Sequence, residues 1–99
     1  MRRGTTPTNL FAVDRDLTSA RIYVSYSQNG KVIVEKTGGD LSVTPTQISC
    51  TLSQNDTLAF KQGVVEIQIR YVAQNGEADA SDIIVTTAER ILKDGVITY

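Results

Sequence analysis

The chain of 99 residues contains no histidine and no tryptophan, and it has one cysteine and two prolines. Without histidine it lacks the side chain that most often acts as a general base or binds a transition metal. The single cysteine, Cys50, leaves no partner for a disulfide within the chain, which excludes the disulfide frameworks of small secreted domains. These absences argue against an enzyme, and we expect no catalytic residue, no cofactor and no metal site.

Neither positive nor negative charge is in clear excess. Ten Lys and Arg residues stand against eleven Asp and Glu residues, and the net charge is -1. Such a balance gives no general attraction to nucleic acid or to an anionic membrane. No apolar run approaches the roughly 20 residues of a membrane span, and the N-terminus lacks the apolar core of a signal peptide. We expect no nucleic-acid partner, no membrane contact and a protein folded in the cytoplasm.

The clearest structural pattern runs from Gly63 to Ala73. Apolar and polar side chains alternate there with period 2, which predicts a central strand with one face in a core. The inward residues are Val65, Ile67, Ile69 and Tyr71. A chain of this length, with 40% hydrophobic residues, holds one domain. We therefore predict a single domain over residues 1–99, with residues 1–7 as an irregular lead-in.

Shorter alternating stretches predict the other strands. They cover Thr8–Val13, Ala20–Ser27, Lys31–Thr37, Leu41–Val43, Thr46–Leu52 and Ala80–Ala88, the first as an edge strand and the last with Ile83, Val85 and Thr87 facing inward. Gln-Asn-Gly occurs at 28–30 and again at 74–76, and Asn-Gly between apolar segments predicts the same type I′ hairpin turn at both places.

A helical turn is predicted where Ser53 is followed three residues later by Asp56. This is the spacing of a capping box, and it predicts one or two helical turns over residues 54 to 60, with Leu58 and Phe60 closing the end of the core. Six or seven short strands with one helical corner predict an all-β fold. We expect an immunoglobulin-like antiparallel Greek-key β-sandwich.

Few residues are candidates for a catalytic, metal-binding or ligand-binding site. The pairs Asp14 and Asp16, and Asp79 and Asp82, lie in polar connections, where roles in turns are favoured over acid–base pairs or a calcium site. Cys50 lies on the apolar side of its strand and is expected to be a buried, unreactive thiol. Alternation places Tyr26 and Tyr71 inside and Tyr23 outside, which argues against an aromatic platform for sugars or bases.

The C-terminal segment, residues 91–99, reads I-L-K-D-G-V-I-T-Y and is apolar for a chain terminus. Because an exposed apolar patch marks a contact site, its apolar residues are the candidates for an interface. They are Ile91, Leu92, Val96 and Ile97. A last strand folded onto its own sheet is an equally good interpretation of the same residues.

Several longer stretches, taken together, resemble a known group of proteins. They are R-R-G-T-T-P-T, Y-x-Q-N-G-K-V-I-V-E-K-T, I-S-C-T-L-S-Q-N-D-T-L-A-F-K-Q-G, E-I-Q-I-R and R-I-L-K-D-G-V-I. This set resembles a family of small proteins encoded in prophage and phage tail regions of Gram-positive gut bacteria. More distantly, the order of strands and helical corner is similar to the N-terminal β-sandwich of baseplate upper proteins in siphophage tails.

The resemblance implies a non-enzymatic structural protein, a tail or baseplate module that acts through protein–protein contacts. Its partners would be phage structural proteins or further copies of itself. It would occur in the cytoplasm of the bacterial host during assembly and in the virion tail if incorporated. The alternative is a stand-alone module that binds a carbohydrate or a cell surface.

Overall fold

A computed structural model describes the whole chain, Met1–Tyr99. It contains eight strands, one short α-helix and a 3₁₀ turn at Gly38–Asp40. The strands are β1 (Thr8–Ala12), β2 (Arg21–Gln28), β3 (Lys31–Thr37), β4 (Leu41–Thr44), β5 (Gln47–Thr51), β6 (Gly63–Val72), β7 (Ala78–Ala80) and β8 (Ile84–Ala88), and the helix is α1 (Gln54–Leu58). No helix has the length and apolar character needed to cross a membrane.

The strands form two antiparallel sheets that share one core. The first sheet has the order β1-β5-β4, and the second has the order β3-β2-β6, with β7 and β8 both on the free side of β6. In immunoglobulin terms the first sheet holds strands B, E and D, and the second holds C′, C, F and G. The predicted all-β, immunoglobulin-like Greek-key sandwich is therefore confirmed.

The core lies between the sheets and is built by the alternation seen in the sequence. β6 contributes Val65, Ile67 and Ile69, and the buried residues of β2 and β5 pack into the same cluster. The other buried apolar residues are Leu17, Ile22, Val24, Tyr26, Val34, Ile48, Cys50, Leu52, Phe60 and Ala88. The predicted inward faces of β2, β5 and β6 are confirmed.

The helical corner forms as predicted, and its capping box closes in both directions. The Asp56 N–H donates to Ser53 Oγ at 3.1 Å, and the Ser53 N–H donates to the Asp56 carboxylate at 2.8 Å. Phe60, just beyond the helix, is fully buried and packs at a tilt on Tyr26, with 6.1 Å between ring centroids. Leu58, however, is half-buried beside Gly4 and lies outside the core cluster, so its predicted position at the end of the core is wrong. The sequence did not single out Thr57, which is buried and whose hydroxyl donates to the Thr5 carbonyl at 2.8 Å.

The two Gln-Asn-Gly turns differ. Asn29 and Gly30 both have positive φ, as a type I′ turn requires. In the second turn only Gly76 has positive φ, and its N–H donates to the Ala73 carbonyl at 2.9 Å. This is the geometry of a three-residue loop with glycine in the left-handed position. The position of the second hairpin was predicted correctly, but the prediction of a type I′ turn there was wrong.

The strand after this hairpin departs from the prediction because it is interrupted. Arg70 of β6 lies opposite Ala80, whereas Ile67 lies opposite Ile84, so the returning chain has one residue more than β6 over that stretch. Ser81 fills the bulge: its Oγ accepts from the Ile69 N–H at 3.0 Å.

One extra residue moves all later side chains to the other face of the sheet. Ile83 and Val85 are therefore 55% and 63% exposed, and Thr87 is also exposed, so their predicted inward positions are wrong. Thr86 and Ala88 face the core side instead.

The core predicts how stability responds to truncation. Phe60→Ala should lower the free energy of unfolding by about 3–5 kcal/mol, because a buried ring is replaced by a cavity. Urea denaturation followed by circular dichroism measures this change. The control is Val64→Ala, at an exposed position of the neighbouring strand, which should stay within about 0.5 kcal/mol of the parent protein. Equal losses in the two variants would contradict the core described here.

Candidate interaction site

One side of the sandwich has two open strand edges. β1 is an outer strand of the first sheet, and β7 and β8 together form the outer edge of the second. In immunoglobulin domains an additional strand A lies on this side of strand B. Here only Met1–Arg3 approach it, and they pair with the end of β8: the Arg3 N–H donates to the Glu89 carbonyl at 3.0 Å, and the Glu89 N–H donates to the Met1 carbonyl at 2.9 Å.

The backbone of β1 has unpaired groups along its outer edge. The Val13 N–H donates to the Thr46 carbonyl, and the Leu52 N–H donates to the Pro7 carbonyl, so the odd-numbered residues of this stretch face β5. Because facing alternates along an antiparallel strand, Thr8, Leu10 and Ala12 direct their N–H and C=O groups away from β5. β1 therefore offers three donors and three acceptors to a further strand.

A groove of about 640 Å³, here called the edge groove, lies between these two edges. Its lining is mostly apolar and includes Phe11, Val13, Leu17, Ile69, Tyr71 and Ile84. Charged residues Asp14, Arg15 and Asp79 border it. Arg15 is ordered there, because its guanidinium donates to the Tyr71 hydroxyl at 2.9 Å and lies 5.9 Å from the centroid of the Tyr71 ring. The groove thus combines an apolar floor, free backbone groups and charges of both signs.

The four candidate interface residues of the C-terminal segment lie elsewhere, near α1. Ile91 is half-buried beside Gly4, whereas Leu92, Val96 and Ile97 are 92%, 50% and 56% exposed. Residues 91–99 form no strand, so the interpretation as a last strand on the chain's own sheet is wrong. The segment is held by Gln54, which donates to the Ile97 carbonyl at 3.0 Å and accepts from the Ile97 N–H at 2.9 Å.

The acidic pairs have local contacts. Asp16 accepts hydrogen bonds from the Thr18 hydroxyl at 2.7 Å and from the Thr18 N–H at 2.9 Å, and these bonds lower the pKa of its carboxyl group. Asp79 accepts from the adjacent Ala80 N–H at 2.8 Å. No three His, Cys, Asp or Glu side chains lie close enough together to hold a metal ion. Asp16 lies in a connection, as predicted, whereas Asp79 is the middle residue of β7, so its predicted position in a connection is wrong.

Cys50 and Tyr26 are fully buried next to each other in the core. Burial raises the pKa of the Cys50 thiol and raises the pKa of the Tyr26 hydroxyl. The Tyr26 hydroxyl accepts from Asn9 Nδ2 at 2.7 Å. Both groups stay protonated at neutral pH, so Cys50 is the buried thiol that the sequence predicts, with no thiolate available as a nucleophile.

A partly buried ion pair joins α1 to the second sheet. Lys36 Nζ of β3 lies 2.7 Å from the Asp56 carboxylate, and both side chains are largely covered. Partial burial alone would raise the pKa of Asp56, but the hydrogen bonds from Lys36 and Ser53 outweigh it and hold the pKa below its ordinary value. The same ion pair raises the pKa of Lys36. This contact fixes the helical corner against the sheet.

No model of a known protein family matches the chain, and no curated protein matches it. A solved structure, the V domain of amphioxus IgVJ-C2, is similar over 92% of this chain and 97% of its own, with 11% sequence identity and a TM-score of 0.38.

The ion pair gives a prediction for pH. The pKa of Asp56 is lower in the folded protein than its ordinary value of about 3.9, so its ionised form stabilises the fold fully above that value. This stability is lost as the pH falls through the lowered folded-state pKa. Asp56→Asn should lower the free energy of unfolding at pH 7 by about 1 kcal/mol and should flatten the loss of stability below about pH 4.

Urea midpoints measured between pH 7 and pH 2 test this prediction. Asp79→Asn is the matched control, because Asp79 is exposed and accepts only from its neighbour's N–H. The control should follow the parent protein at each pH. A parallel curve for Asp56→Asn, with no flattening, would contradict the role given to the ion pair.

Proposed function

We propose that the protein is a non-enzymatic structural protein of a phage or prophage, a tail or baseplate assembly module that acts through protein–protein contacts. The phage assignment rests on the resemblance of the stretches between Arg3 and Ile97. The mode of action rests on the surface: an assembly module needs a site that takes up another chain, and the open β1 edge is such a site. Free strand edges bind further strands through backbone hydrogen bonds.

The observation that carries the proposal is the coincidence of that edge with an apolar groove. A strand edge left in water is normally short, charged or covered. Here the edge lies beside the side chains of Phe11 and Ile84, so an added strand would gain apolar burial together with backbone pairing. That combination favours assembly over a passive surface.

Virion composition tests the proposal. After prophage induction in a strain that carries the gene, particles purified on a density gradient should contain the chain at a fixed number of copies per tail, measured by quantitative mass spectrometry. A deletion of the gene should give particles with incomplete tails by electron microscopy. Normal tails in the deletion strain, together with no chain in purified particles, would overturn the proposal.

The alternative function, binding of a carbohydrate or cell surface, has one feature in its favour. A shallow cavity of about 310 Å³ lies beside Tyr23 and Tyr71, with Ser25, Glu35 and Arg70 around it. An aromatic ring with polar neighbours is a typical sugar-binding surface, because rings stack on apolar sugar faces while polar groups bind hydroxyls.

Titration calorimetry with host cell-wall polysaccharide tests the alternative. Binding should be lost in Tyr23→Ala and kept in Tyr99→Ala, which removes an exposed ring from another surface. Absence of heat in the parent protein at millimolar ligand would exclude carbohydrate binding at this cavity.

A further inference from the structure

We propose that the C-terminal segment of one copy inserts as an added strand into the edge groove of a second copy. The inserted residues are Gly95–Tyr99, and they pair with β1. This inference deepens the proposed assembly function and rests on it, since it names a second copy of the chain as the partner and a strand as the connection.

The groove requires an extended occupant. Thr8, Leu10 and Ala12 present backbone donors and acceptors at strand spacing, and only an extended backbone can satisfy them in sequence. β1 has five residues, which span roughly 17 Å. The residues Gly95–Tyr99 can pair along this edge in an extended conformation.

The C-terminal segment has the composition of a strand without being one. Val96, Ile97, Thr98 and Tyr99 are β-branched or aromatic, the residue types that favour strands. In the structure they form no strand, and Val96, Ile97 and Tyr99 expose large apolar side chains to water. The same chain thus has an unpaired edge on β1 and a C-terminal segment that favours a strand but pairs with no sheet.

Side-chain alternation decides which residues face the groove. In an extended segment Ile97 and Tyr99 lie on one side, and Val96 and Thr98 lie on the other. We assign Ile97 and Tyr99 to the groove, because they are the larger apolar pair and the floor is wide and apolar. Val96 and Thr98 then face outward.

The charges next to the inserted residues are compatible with the rim. Lys93 and Asp94 immediately precede the segment. The rim carries both signs: Arg15 is available for an acidic residue, and Asp14 and Asp79 are available for a basic one. In its own copy Asp94 lies 3.5 Å from the Arg3 guanidinium and is largely exposed, so insertion would exchange this surface ion pair for a contact with Arg15 at the rim.

A second copy fits better than the chain's own segment. The Thr8 end of β1 lies beside Thr51 and therefore near α1, whereas the groove is formed by the opposite ends of β1 and β6. The chain's own segment is held on the α1 side by Gln54. Met1–Arg3 pair with the end of β8 at Glu89. To reach its own groove the segment would have to cross from the α1 end to the opposite end of the same sandwich, whereas a second copy can bring its segment there directly.

The connection joins two different surfaces of the chain, so it is heterologous. Two reciprocal insertions close a dimer, and successive insertions build a ring or a filament. Light scattering after size exclusion, over a concentration series of the full chain, should show defined oligomers that dissociate on dilution. A monomer at every concentration up to the millimolar range would overturn the inference.

Two variants test the side that faces the groove. Ile97→Asp should weaken association roughly tenfold or more, because a charge replaces a buried apolar side chain. Val96→Asp is the matched control: it adds the same charge one residue away, on the outward side, and should change association by less than about threefold. Equal effects of the two variants, or no effect of Ile97→Asp, would overturn the inserted strand.

Mixing two defective variants tests insertion between copies. Ile84→Arg fills the groove at a half-exposed position and leaves the C-terminal segment intact, whereas Ile97→Asp leaves the groove intact. Each alone should stay monomeric, and a mixture should form a one-to-one heterodimer. Circular dichroism verifies that Ile84→Arg is folded, and Val64→Arg, on the outer face of the second sheet, is the control that should still associate with itself. No heterodimer from two folded variants would overturn the inference.

These results separate the inference from the proposed function. If the protein is present in tails at a fixed copy number but is monomeric in solution, the assembly function is supported and insertion between copies is rejected. If the chain is absent from purified particles but associates in solution, and if Ile97→Asp weakens this association while Val96→Asp does not, the inserted strand is supported and the phage tail role is rejected.

Discussion

The packing of β6 between its neighbours is the contact on which the rest of the structure depends. Its inward residues Val65, Ile67 and Ile69 lie in the same buried cluster as residues of the first sheet, and its backbone pairs with β2 on one side and with β7 and β8 on the other. Of the second sheet, β2, β7 and β8 pair directly with β6, and β3 joins through β2. The helical corner before it, fixed by Phe60 and by the ion pair of Lys36 and Asp56, sets where β6 begins.

The first sheet has fewer strands than the second, and its outer strand β1 carries the open edge. This sheet has three strands, and the outer edge of β1 is unpaired. Met1–Arg3 cover only the end of β8. In a small sandwich an uncovered edge exposes a larger share of the core than it would in a large one. The edge groove thus follows from the order of the strands in the two sheets.

Local pattern predicted most of the fold, because alternation and capping are properties of neighbouring residues. The strands β2, β3, β5 and β6 and the capping box at Ser53 follow from residues close in sequence. The bulge at Ser81 could not be predicted, since it depends on how the Ser81 side chain meets the β6 backbone across the sheet. The edge groove was missed for the same reason: the sequence marked β1 as an edge strand but not which strand of the other sheet would face it. The sequence allowed two interpretations of Leu92, Val96 and Ile97, an exposed interface segment or a last strand on the chain's own sheet. Only the tertiary structure could distinguish them.

The position of the C-terminal segment bears on how assembly would be controlled. Gln54 holds Ile97 through two hydrogen bonds at the protein surface, and each is worth about 0.5–1.5 kcal/mol. Moving the segment into a groove would replace these two bonds with several backbone bonds and would bury side chains that are now in water. The loss is small and independent of concentration, whereas the gain requires a second copy. The monomer with Gln54 in contact with Ile97 is therefore the form expected at low concentration, and a rise in local concentration would shift the chain to the joined form.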